Sequence, residues 1–183
     1  MKHVVKNLTV VVILCSAVFV PFRLFAQDSS LISFKIEDQF DQAHTDQDYR
    51  DSIVIIIGSD KNGSKYNGRW TKAIRDSLKQ EKNFGSVKFL RVADVLGVPF
   101  FVKGFVKGKF PKERESWVLL DWKGRFAKAY NFVSEACNIV IFDRKGVVVH
   151  KTHGRELDLE ELAIICEKLR QSMKELSGPG ESG

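Results

Sequence analysis

The sequence predicts an α/β domain of three layers, with helices on both faces of a mixed central sheet. Three observations carry this expectation. Ser52–Gly58, SIVIIIG, is a continuous β-branched run, the pattern of a strand buried on both faces. A helical stretch and a second strand follow it, forming a strand–helix–strand unit whose crossover is right-handed. Near the other end, Asn138–Gly154 reads NIVIFDRKGVVVHKTHG: two Val/Ile-rich runs flank a short polar link ending in Gly146, a hairpin signal. A long amphipathic helix comes after it.

The elements follow in order. Leu31–Glu37 is short and apolar and is expected to be a strand, and the polar Asp38–Asp51 is expected to be turn-rich. After Ser52–Gly58, Ser59–Gly63 breaks the strand. A helix is expected from Ser64 to Lys82, with Trp70, Ala73, Ile74, Ser77 and Leu78 on one stripe. Val87–Val92 is the next strand, closing at Ala93-Asp94. In Val95–Ser116, Phe101, Val102, Phe105 and Val106 fit one face of a short helix, and Lys103, Lys107, Lys109, Lys112 and Arg114 surround it. Trp117–Asp121 is a strand and Lys123–Tyr130 a turn with a helical turn. The last helix starts at Asp158, with Glu161 three residues on in near capping-box form. Its stripe is Leu159, Leu162, Cys166, Leu169, Met173 and Leu176.

A chain of 183 residues is long enough for one domain with a sizeable core. That domain is expected over residues 27–176, with a disordered tail over 177–183. Residues 1–26 read as a secretory signal peptide: Lys2 and Lys6, the apolar run Leu8–Val20, then Leu24-Phe25-Ala26. A retained anchor is the alternative. Leu14 before Cys15 argues against lipidation. The expected location is the periplasm or the medium outside the cell. Loss of Lys2, Lys6 and Arg23 with the peptide lowers the formal charge from +6 to +3, a poor basis for nucleic-acid binding.

Cys137 and Cys166 then remain. There is no C-x-x-C and no Cys/His metal spacing, so neither a metal nor another cofactor is expected. His150 and His153 are expected on opposite faces of a strand and its exit. With His44 they lack the G-x-S-x-G elbow of a hydrolase. Gly58–Gly63 lacks the Lys-Ser/Thr of a phosphate loop.

The phrases FKIEDQFDQ with YRDSIVIIIG, WVLLDWKGRFAKAY, and NIVIFDRKGVVVHKTHG, in this order, resemble the redoxin and peroxiredoxin-like branch of the thioredoxin-like superfamily. The resemblance runs from Leu31 to Leu169. It is nearest in type to periplasmic YtfJ-like proteins, which lack the catalytic cysteine pair. It implies a thioredoxin-like three-layer sandwich. It also implies a reactive site at the start of the first helix, where a helix N-terminus stabilises a thiolate.

Here that place reads Asp60-Lys61-Asn62-Gly63-Ser64-Lys65, with Asn62 and Lys65 near the two sulfur positions. The family's nucleophile is therefore missing. The expected function is an exported, non-catalytic binding or accessory module with a protein or peptide partner in the cell envelope. Asp60, Asn62, Ser64 and Lys65 are its candidate binding face. The alternative is a thiol-dependent oxidoreductase or peroxidase-like enzyme using Cys137. By the resemblance, Cys137 falls near the position just before the hairpin that faces the helix tip. The other reading of Cys137 is a buried, inert thiol. Cys166, on a core-facing stripe, argues against a bridge between the two. The basic-aromatic stretch Phe100–Phe110 suits either a membrane surface or a helix packed on the sheet with a solvated rim; the second is the expectation.

Overall fold

The computed structural model describes residues 30–175, so the expected signal peptide and tail lie outside the described residues. Strands β1 (Lys35–Glu37) and β2 (Ala43–Thr45) pair as a small antiparallel ribbon. Then come β3 (Ile53–Ser59), α1 (Ser64–Leu78), β4 (Val87–Asp94), α2 (Lys103–Lys107), β5 (Leu119–Asp121) and α3 (Arg125–Tyr130). The chain closes with β6 (Cys137–Phe142), β7 (Val148–Gly154) and α4 (Leu159–Lys174).

The main sheet has the order β5-β4-β3-β6-β7. β3, β4 and β5 run parallel, and β6 and β7 are antiparallel to their neighbours. β3 stands in the centre and every one of its residues is buried, as its unbroken β-branched run requires. Successive side chains leave a strand on opposite faces. Ile53, Ile55 and Ile57 therefore join Trp70, Ile74 and Leu78 of α1 and Ile165, Cys166, Leu169 and Met173 of α4 in one apolar layer. Val54 and Ile56 join Phe34, Ile36, Tyr49, Phe126 and Tyr130 in the other. β6 alternates in the same way, with Ile139 and Ile141 on the first face and Val140 and Phe142 on the second.

Four sequence expectations change. The first strand is only Lys35–Glu37, and the polar stretch after it contains β2 and a 3-10 turn, Asp46–Tyr49. The buried Asp38 carboxylate organises that stretch, accepting from Phe40 N, Gln42 N and His44 Nε2. α1 ends at Leu78 rather than Lys82, where Glu81 N bonds back to the Leu78 carbonyl at 2.9 Å, a tighter i→i+3 bond in place of the helical one. α4 starts as expected, with Asp158 accepting from Glu160 N and Glu161 N, but Leu159 points to solvent. Finally, Phe101 and Phe105 do not pack on the sheet: they are 85% and 69% exposed.

Candidate functional site

The loop from β3 into α1 is shaped by Asp60. One carboxylate oxygen accepts from Gly63 N at 2.7 Å, folding the loop onto the first turn of the helix. The other accepts from Ser134 Oγ at 2.7 Å and Glu135 N at 2.9 Å. Asp60 therefore ties the start of α1 to the segment ahead of β6. Burial of this carboxyl opposes its ionisation, but hydrogen bonds from Ser134, Glu135, Gly63 and Asn62 outweigh it and hold the pKa below the ordinary 3.8.

The segment ahead of β6 is held from below by Asn138. Its Oδ1 accepts from Val133 N, and its Nδ2 donates to the carbonyls of Gly58, Val133 and Ala136. Glu135 sits at φ 59°, a conformation few non-glycine residues adopt. Its N–H is the group given to Asp60, which fixes that turn. Across the junction Gly63 meets the Ala136 backbone so closely that a Cβ would lie 2.4 Å from its carbonyl oxygen. Only glycine fits there.

The residue against the helix tip is thus Ala136, and the expectation that Cys137 faces the tip is corrected by one position. Cys137 is the first residue of β6, paired with Gly154, and its side chain turns into the layer beneath α1 and α4. It is wholly buried, and burial pushes its thiol up to about 12. Cys166 lies in the same apolar layer, also buried and in no disulfide, with burial raising its pKa against the lowering effect of a hydrogen bond with Ser77. A thiol in such surroundings is a poor nucleophile at neutral pH.

Beside the helix tip lies a shallow cleft of about 390 Å³, lined by Lys61, Asn62, Lys65, Tyr66, Glu135 and Arg155. Of the candidate binding face, Asn62 and Lys65 line this cleft. Asp60 and Ser64 do not: Asp60 is consumed by the tie just described, and Ser64 Oγ donates to the Lys61 carbonyl at 2.7 Å. Glu135 bridges the cleft, accepting from Asn62 Nδ2 at 3.3 Å and from Arg155 at 3.4 Å. Lys65 Nζ lies 4.9 Å from the centre of the Tyr66 ring.

Three cations, Lys61, Lys65 and Arg155, face one carboxylate here, while the Asp60 carboxylate already occupies the N-terminal end of α1. The cleft favours an anionic group. Glu135 and Arg155 were not legible beforehand, because each reaches the cleft only through the pairing of β6 with its neighbours. His150 is taken up by Glu161 at 2.7 Å, and among the described residues no group of three His, Cys, Asp or Glu side chains could hold a metal.

Solved structures match this architecture. The pneumococcal exposed lipoprotein thioredoxin of Streptococcus pneumoniae is 17% identical with a TM-score of 0.53, over 79% of this chain and 99% of that one. A thioredoxin-like protein from Porphyromonas gingivalis is 21% identical with a TM-score of 0.55, over 80% and 94%. The thioredoxin domain of a thiol-disulfide oxidoreductase from Bacteroides vulgatus is 15% identical with a TM-score of 0.51, over 79% and 97%. No family model and no curated protein matches the sequence. The chain has a thioredoxin-like fold: a five-stranded mixed sheet between helical layers.

Proposed function

We propose that this protein is a non-catalytic binding module of the cell envelope, which uses the cleft at the tip of α1 to hold an acidic segment of a protein or peptide partner. The observation that carries this reading is the make-up of the helix tip. The place where the fold can activate a thiol is filled by Asp60-Lys61-Asn62-Gly63-Ser64-Lys65, while Cys137 and Cys166 are buried. What the tip offers instead is Lys61, Lys65 and Arg155 around one carboxylate. The envelope assignment rests on the apolar leader of the sequence, and is supported by the likeness to an exposed lipoprotein.

Two measurements test the reading. Insulin reduction by the purified chain is expected to stay at the uncatalysed rate; turnover that Cys137→Ser abolishes would return the protein to the oxidoreductases. A poly-glutamate peptide is the binding probe. It is expected to bind about tenfold more weakly to Lys61→Glu or Arg155→Glu, since reversing a rim charge opposes an anionic ligand. Equal binding of poly-glutamate and poly-lysine would remove the preference for acidic partners.

A further inference from the structure

We propose that the segment around α2 is a membrane-contact wedge that seats on an anionic lipid surface. In a soluble amphipathic helix the apolar side chains turn inward and the lysines outward. Here the order is inverted. Lys103 and Lys107, four apart and so on one side, turn toward the body of the domain. Lys107 pairs with Asp41 and is only 22% exposed, and Lys103 Nζ lies 4.8 Å from the centre of the Trp122 ring. Phe101 and Phe105, also four apart, are left on the outside at 85% and 69% exposure.

Charge complementarity identifies the occupant. From Leu96 to Ser116 the chain carries five basic residues against two acidic ones. With Lys103 and Lys107 turned inward, the exposed charges are Lys109, Lys112 and Arg114 against Glu113 and Glu115, a net of +1; Arg114 lies over the Phe40 ring, and Lys109 is the cation placed at the exposed rings. Lys109 Nζ stands 4.6 Å from the centre of the Phe105 ring, placing a cation at the flank of an aromatic side chain that has no core to enter. Rings that sink to the acyl boundary while amines stay at the headgroups are the chemistry of an interfacial anchor. The shape agrees: neither cleft described at α1 nor the one lined by Lys35, Lys103 and Trp122 includes Phe101 or Phe105. At these exposures the rings project outward, as a bilayer accommodates.

The test is a titration of the full chain with vesicles of phosphatidylglycerol and phosphatidylcholine in equal parts, and with phosphatidylcholine alone. Any contribution of the N-terminal apolar run is common to all variants, so differences between variants report on the wedge. The Phe101→Ser/Phe105→Ser protein is expected to bind the anionic vesicles at least about tenfold more weakly, from the apolar burial it forgoes. Lys109→Glu/Lys112→Glu is expected to abolish the preference for anionic over neutral vesicles, and raised salt to weaken the wild type. Both variants change exposed side chains, and an unchanged melting temperature checks their folding. Equal binding by wild type and the double serine variant overturns the proposal. So does failure of the wild type to bind, which would assign the rings to a protein contact.

Discussion

Asp60 shows how one residue can serve the site without entering it. Its two oxygens accept from α1 on one side and from residues 134–135 on the other. Asp60→Asn keeps a single acceptor oxygen and is expected to lose about 1–2 kcal/mol at neutral pH by chemical denaturation. The folded pKa lies below the unfolded value of 3.8, so the carboxylate's contribution is complete above that value and disappears as pH falls through the folded one. The gap between wild type and Asp60→Asn is therefore expected to close as pH drops below 3.8. A gap that stays constant would contradict this. Asp38 has the same direction: burial opposes its ionisation, and hydrogen bonds from His44, Gln42 and Phe40 outweigh it, so acid sensitivity persists in the variant.

Cys137 makes the opposite point. With its thiol buried and pushed up to about 12, alkylation is expected only as fast as the domain opens, accelerating with denaturant in step with unfolding. A native rate near that of a free thiol would restore it as a nucleophile. The sequence places Cys137 beside the helix tip to within one residue. That error decides the chemistry, because adjacent residues of a strand face opposite ways.

Among the elements, the long periodic ones are legible beforehand and the short ones are not. β3, α1, β6, β7 and α4 announce themselves through a dense apolar run or a stripe. The ribbon of β1 and β2 does not, because its only inward residues are Ile36 and His44, and His44 needs the Asp38 carboxylate to be buried. α2 is legible as a helix, but its orientation is not. Pattern alone cannot say that Asp41 and Trp122 draw the lysines inward.

The junctions between elements depend on two glycines, and these separate by what each would strike. At Gly58 a Cβ would meet the far edge of the Phe132 ring at 2.3 Å, and at Gly63 the Ala136 backbone at 2.4 Å. A half-buried ring can move and a strand-end backbone cannot. Gly63→Ala is expected to cost about 2–3 kcal/mol and Gly58→Ala about 1 kcal/mol. Adding Phe132→Ala should relieve the strain in the second case only. Equal losses in a urea melt would show that both sites yield alike.

At the scale of the whole molecule, β3 and β6 are walls common to two apolar layers. The two layers therefore cannot melt independently. Ile56→Ala opens a cavity on the α3 side and is expected to destabilise by about 3 kcal/mol. Because the wall is shared, the unfolding midpoint read at Trp70 in the opposite layer, with Trp117 and Trp122 replaced by Phe, is expected to shift by the same free energy. Two separated transitions would refute this. The central pair joins residues far apart in sequence, Val54 with Phe142 and Gly58 with Asn138, so folding on the order of milliseconds to seconds is expected.

The tie at Asp60 also has a meaning for recognition. The lips of the cleft, Lys61, Asn62, Lys65 and Tyr66 on one side and Glu135 on the other, are fastened to each other through Asp60. Such a mouth has a set width. For the acidic partner proposed above, selection is expected to be by size and charge rather than by closing, and poly-glutamate mixed with the protein in stopped flow is expected to bind in one kinetic phase.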